Sequence, residues 1–234
     1  MPLFRAWVNP LKLPELEMNV LEQGNPTAEN ILHFLSSPQL DGSVDAFCQR
    51  YQEIAALNDP IPMAPAEPTI LEKLVWPLRH AKGSYGLGSY LSCIALCGMV
   101  GEMVALLLWE ISNVTLQNNP LDEAGERTLF GSTFERLGQE RRTQVLLSFQ
   151  RIDAETKRAF DTLRELRRRY LHFLSQPHEQ LAADARTAYE HALRVVTVVL
   201  GVAFEDGGIA LRPDLMAYLT ERGLVEEPAN DAGA

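Results

Sequence analysis

Cysteine is scarce in this chain, and the three present, Cys48, Cys93 and Cys97, have neither the even count nor the spacing of a disulfide framework or a zinc site. Cys93 and Cys97 stand four apart in an apolar segment, where small thiols fill core space. Positive charge is also short. Lys and Arg number 21 against 31 Asp and Glu, a net charge of −10, which excludes a protein that coats nucleic acid with a broadly basic surface. No run of alternating apolar residues or β-branched clusters marks a sheet, and no period marks a solenoid. His33, His178 and His191 have no ligand spacing with one another or with a cysteine, so neither metal nor cofactor is expected. An N-terminal basic-then-apolar segment with a small-residue cleavage site is lacking as well, and the expected location is cytoplasmic.

What is present is a globular composition, 46% hydrophobic and 22% charged over 234 residues, enough for one core with peripheral extensions. The patterns are helical and predict an all-α bundle. Thr27 caps a helix to Ser37, and Ser43 or Asp45 opens another through Leu57. The proline-rich stretch from Asp59 to Pro68 then breaks the pattern. This divides the chain into a helical extension with its linker (1–68), a bundle (69–223) and a disordered acidic tail (224–234). Within the bundle, helices are expected near Thr69 to His80, Ser89 to Ser112, Arg127 to Leu137 and Gln139 to Phe149. Asp153 caps the next one, Glu179 to Phe204 forms the last long helix, and Pro213 to Arg222 a short one stopped by Gly223. Gly83-x-x-Gly86-x-Gly88 reads as a flexible turn, because no strand and no Gly-Lys-Ser/Thr pattern accompany it. Asn118 to Glu126 reads as a polar loop.

From Leu91 to Trp109 the chain is nearly long and apolar enough to span a bilayer, but Glu102 stands at its middle. An ionisable group at that depth costs around 3 kcal/mol on insertion scales, and the flanks lack Lys/Arg anchors. The central buried helix of a bundle is therefore expected, with no membrane partner. Glu102 is then either the buried partner of an arginine or a carboxylate on that helix's one solvated edge.

The segment from Leu163 to His172 carries the one pattern that suggests chemistry. Phe160, Leu163, Tyr170 and Leu174, flanked by Leu166 and Leu171, form an apolar stripe at helical spacing, and Arg167 interrupts it. A guanidinium cannot shed its charge. Arg167 must therefore pair with a buried acid or line a site, since an unpaired buried charge costs several kcal/mol. Arg164, Arg168 and Arg169, with Lys157 and Arg158 upstream, gather positive charge on this one helix of an acidic chain. On an ideal helix Arg167 and His172 lie about 140° apart, whereas Arg168 and His172 share a face. For Arg167 and His172 to cooperate, the arginine must curl round the helix or a second subunit must close the site. Arg79-His80 repeats the residue types without that helical context.

Together with the polar turn to Pro177 and the following Ala/Val-rich helix bearing Asp184, Ala188 and Ala192, this segment resembles the HEPN (higher eukaryote and prokaryote nucleotide-binding) superfamily over approximately Gly83 to Phe204. Members carry an Arg, usually an Asn or Asp next, and a His after four to six intervening residues; Arg167 and His172 match with four residues between them. The resemblance implies four or five core helices and a homodimer with the Arg/His pairs near its interface. In catalytic members the pair supports metal-independent RNA cleavage by the 2′-hydroxyl. Carried over, His172 would move the proton and Arg167 would stabilise charge on the phosphoryl oxygens. Arg168, however, occupies the usual Asn/Asp position, which adds charge beside His172 and argues that the chemistry has been lost.

Three functions follow as expectations. The foremost is a non-catalytic HEPN-like module for dimerisation and for nucleotide, RNA or partner-protein binding, in a toxin–antitoxin or defence system whose partner is encoded nearby. The alternatives are a metal-independent endoribonuclease using Arg167 and His172, with Arg168 and Glu102 in support, and an unrelated helical regulator or adaptor.

Overall fold

A computed structural model describes residues 27–36, 40–57, 61, 64–116, 119–172, 179–201, 203–205 and 208–224. Leu174, Pro177, His178, part of the proline-rich linker and the tail from 225 onward lie outside the described residues. The fold is an all-α helical bundle.

Helix α1 spans Ala28–Leu35 and α2 Val44–Ala55. Ser43 rather than Asp45 caps α2, its Oγ accepting from the Ala46 N–H. The bundle proper begins with α3, Pro68–Ile70, where Pro68 needs no partner for an N–H and the Glu67 carboxylate accepts from Ile70 N at 2.7 Å. One π turn, Leu71–Val75, leads into α4, Trp76–Gly86. Pro77 has no N–H to offer, and its ring crowds the carbonyl of Lys73 in the preceding turn, where a wider backbone relieves it.

The expected glycine turn is mostly helix. Gly83 and Gly86 belong to α4, and the chain reverses only at Leu87 and Gly88, the latter at φ +71°. Gly86 serves packing instead: a Cβ there would stand 2.9 Å from the Phe47 ring of α2. Arg50 of α2 fixes the same junction, Nε donating to Gly86 O at 2.8 Å. Ile54 of α2, within the segment read as the N-terminal extension, is fully buried in the bundle core.

Helix α5, Tyr90–Ile111, runs between Ser89 and Ser112 as the sequence predicts, and packs against α4 and two later helices, α8 (Ala154–Leu171) and α9 (Leu181–Leu200). Among the described residues it is the one helix long and apolar enough to cross a membrane; Cys97, Val100, Val104 and Leu108 on it are fully buried within the protein. Between α5 and α8 the chain differs from expectation. A two-residue hairpin pairs β1 (Thr115–Leu116) with β2 (Asn119–Pro120), and α6 spans Glu123–Phe130 rather than starting at Arg127. Asp122 sets the start, accepting from Gly125 N at 2.8 Å, and Gly131 at φ +75° ends the helix. Phe134–Arg136 is a separate 3-10 turn, and α7 covers Gln139–Ser148.

Asp153 caps α8 as predicted, accepting from Thr156 N at 2.6 Å. Helix α9 is shorter than predicted because Gly201, at φ +59°, turns the chain into a second hairpin, β3 (Ala203–Glu205) against β4 (Gly208–Ala210). Helix α10, Pro213–Glu221, closes the described chain.

Candidate functional site

Helix α8 divides its residues by face. Phe160, Leu163, Leu166 and Tyr170 are buried against α5 and α9, while Leu171 is 40% exposed. Arg167 interrupts this stripe where the neighbouring helix has no side chain. A Cβ on Gly98 of α5 would stand 2.6 Å from Arg167 Cδ and 3.1 Å from its Cβ. One turn along, a Cβ on Gly101 would stand 2.9 Å from Leu163 Cδ1. The two glycines let α8 lie close on α5 and give the arginine stem a bed of backbone.

Glu102 follows Gly98 by four residues, on the same face of α5, and the Arg167 Nη1 donates to Glu102 Oε1. Arg167 thus lines a site and pairs with an acid at once, but the acid is not the buried one expected. The pair is not buried, since the side chains keep 36% and 29% of their exposure. Beside it opens a groove of about 680 Å³ walled by Gly98 and Glu102 of α5 and by Arg164, Arg167 and Arg168 of α8. His172 lines the same groove. The 140° separation of an ideal helix does not keep it away, because His172 is the C-cap, with φ −117°, where the regular helical spacing ends.

Helix α7 forms the third wall. Gln139 donates through Nε2 to Gly101 O at 3.3 Å, while its Oε1 is buried without a hydrogen-bond partner. Arg164 donates to Glu140 Oε2 at 3.0 Å, and its buried Nε has no hydrogen-bond partner. Arg142 lies behind this wall, its Nε donating to Phe134 O at 3.3 Å and its Nη2 to Glu135 O. Burial pulls the Arg142 pKa below the usual arginine value, and the charges of Glu102 and Glu135 oppose that shift. Three arginines and a histidine thus line the groove on a protein that is acidic overall, Glu102 lining it with them and paired with Arg167, while Glu140 and Asp161 lie 3.0 and 4.0 Å from Arg164.

The rest of the basic run serves other ends. Arg169 pairs with Asp184 of α9 at 3.0 Å, and the Tyr170 hydroxyl donates to the same carboxylate at 2.6 Å, which ties α8 to α9. Arg79 and His80 are exposed on α4, and Arg79 lines a different cavity with Tyr51 and Lys82. Cys93 and Cys97 are buried, and burial pushes the Cys97 thiol well above its ordinary pKa. Among the described residues, no three His, Cys, Asp or Glu side chains are grouped to hold a metal ion. Sequence reasoning missed Arg164, Gln139 and Gly98 as parts of the groove. The spacing of Gly98, Gly101 and Glu102 in an otherwise bulky apolar helix was the available signal.

Comparison of the chain with family models, with curated proteins and with solved structures finds no match.

Proposed function

We propose that this chain is a HEPN-like helical module that holds a phosphate group of a nucleotide or an RNA in the α5–α8 groove without cleaving it. The observation that carries the reading is the convergence of Arg164, Arg167, Arg168 and His172 on one groove of about 680 Å³. That size is within the range of small-ligand sites, about 300–1,000 Å³. Planar guanidinium forks match phosphate oxygens, and three of them line this one groove on a chain of net charge −10. One feature favours binding over cleavage: Arg168 stands where the resembled family has Asn or Asp.

Fluorescence anisotropy with a labelled, 5′-phosphorylated single-stranded RNA tests this. Arg167→Ala is expected to weaken binding about tenfold and to lower the slope of affinity against salt by about one. Absence of binding by the unmodified chain at low salt would reject the proposal.

The shared groove of Arg167 and His172 also favours the endoribonuclease as a second reading. Under it, RNA incubated in excess EDTA gives 2′,3′-cyclic phosphate ends, and His172→Ala abolishes them. The proposal as a whole includes a homodimer, serving a toxin–antitoxin or defence system, and sedimentation analysis at micromolar concentration tests that assembly.

A further inference from the structure

A second cavity, of about 350 Å³, opens where α2, α4 and α9 meet, and it shares no lining residue with the α5–α8 groove. That size is at the lower end of small-ligand sites, about 300–1,000 Å³. Its floor is apolar. Leu78 of α4 and Val196 of α9 are buried there, and Val75 of the π turn is half-buried beside them. Such a floor favours a hydrocarbon body over water.

The lining also includes two cations and no acid. Arg79 and Lys82 stand three apart on α4, and Lys82 four beyond Leu78, so the helix face that contributes to the floor carries the charge too. The Lys82 ammonium lies 5.5 Å from the centroid of the Tyr51 ring of α2, a cation–π contact that keeps it beside the cavity and leaves its N–H donors unspent. Elsewhere Arg169, Arg194, Arg212 and Arg222 each meet a carboxylate within 3.0 Å. Among the described residues, neither Arg79 nor Lys82 forms an ion pair.

We propose that this cavity binds a small organic anion with an apolar body, a carboxylate on an alkyl or aryl chain, its charge beside Arg79 and Lys82 and its body against Val75, Leu78 and Val196. The floor treats chains of one length alike, whatever head they carry. The rim does not: a carboxylate is attracted by both cations, an alcohol by neither, and an ammonium is repelled. An exposed ion pair is worth at most about fivefold in affinity, so two such pairs put the carboxylate about tenfold ahead of the alcohol at low salt. Screening narrows that lead as salt is added.

A methyl NMR titration of the full chain with octanoate, octanol and octylammonium tests the proposal. Octanoate is expected to give saturable shifts at the methyls of Val75, Leu78 and Val196, with an affinity about tenfold above that of octanol and with octylammonium the weakest. In the double variant Arg79→Gln, Lys82→Gln, octanoate falls to the affinity of octanol, and octanol itself is unchanged. The double variant Arg136→Gln, Arg158→Gln removes the same charge from residues outside the cavity lining and keeps the preference. Circular dichroism establishes that both are folded. Absence of saturable shifts, shifts centred on Leu163 in the α5–α8 groove, equal affinity for octanoate and octanol, or a preference that survives loss of Arg79 and Lys82 would each overturn the assignment.

Discussion

Two carboxylates, one on the central helix α5 and one packed against it from α6, have opposite surroundings. Glu126 is 8% exposed and accepts two hydrogen bonds, from Trp109 Nε1 at 2.6 Å and from Phe134 N at 2.8 Å. Trp109 stacks on Phe134 with ring centroids 4.4 Å apart, and Phe130 and Phe149 meet it edge-on at 5.8 and 5.7 Å. Glu102 has one donor, Arg167, and opens onto a groove. A charge enclosed by donors and rings holds α5, α6 and the 3-10 turn in place. A charge with a single partner and water beside it is free to exchange that partner. Burial and the number of donors, rather than residue type, separate the structural end of α5 from the candidate site.

The largest expected effect lies at the closed end. Glu126→Leu strands the indole N–H and the Phe134 N–H, and should cost about 3 kcal/mol in urea denaturation. Glu102→Gln should cost under about 1 kcal/mol in the same experiment. Equal losses would erase the contrast between the two carboxylates.

Next is Gly98→Ala. The added methyl meets the Arg167 stem at 2.6 Å and drives the guanidinium from the groove, while helix propensity returns about 1 kcal/mol. Phosphate binding should weaken about tenfold in anisotropy with little change in thermal midpoint. Unchanged binding would mean that Arg167 does not need its bed on α5.

A smaller effect sharpens the same point. A double-mutant cycle on Glu102→Gln and Arg167→Leu should give a stability coupling below about 1 kcal/mol, as for half-exposed pairs. A coupling of about 3 kcal/mol or more would mark the pair as structural and return Arg167 to the scaffold.

The smallest effect concerns His191 on α9. Burial lowers its pKa, Arg194 adding to the shift and Glu190 opposing it, and its Nδ1 is buried without a hydrogen-bond partner. The unfolded chain therefore binds a proton at His191 more readily than the folded one. Its contribution to stability is complete above about pH 6.5 and is lost as pH falls through the lower, folded value. Denaturation midpoints between pH 7 and 5 should decline less in His191→Gln, and an unchanged decline would remove this residue from the acid response.

Much of this was legible in the sequence. The boundaries of α5 at Ser89 and Ser112 and the Asp153 cap of α8 are where local chemistry places them. Arg167 announced itself as a charge in an apolar stripe, and Glu102 as the one acid between Leu91 and Trp109. Other features were hidden for physical reasons. Two- and three-residue strands are too short for alternation to register. The first turn of α6 contains Gly125, which weakens a helical pattern even though Asp122 caps it. Gly83 and Gly86 suggested a turn because glycine usually punctuates, whereas Gly86 makes room for Phe47. The position of His172 depends on how α8 ends, which does not follow from angles on an ideal helix.

The most direct measurement is a side-chain NMR titration with adenosine 5′-monophosphate, following the arginine Nε–H and histidine resonances together with the indole N–H of Trp109. Saturable shifts at Arg167 and His172, assigned through Arg167→Lys and His172→Gln, with the Trp109 signal held still by Glu126, are the predicted result. Shifts that leave Arg167 and His172 untouched, or that move Trp109 as much as they move Arg167, would contradict an open, anion-binding middle of α5 set against a closed C-terminal end.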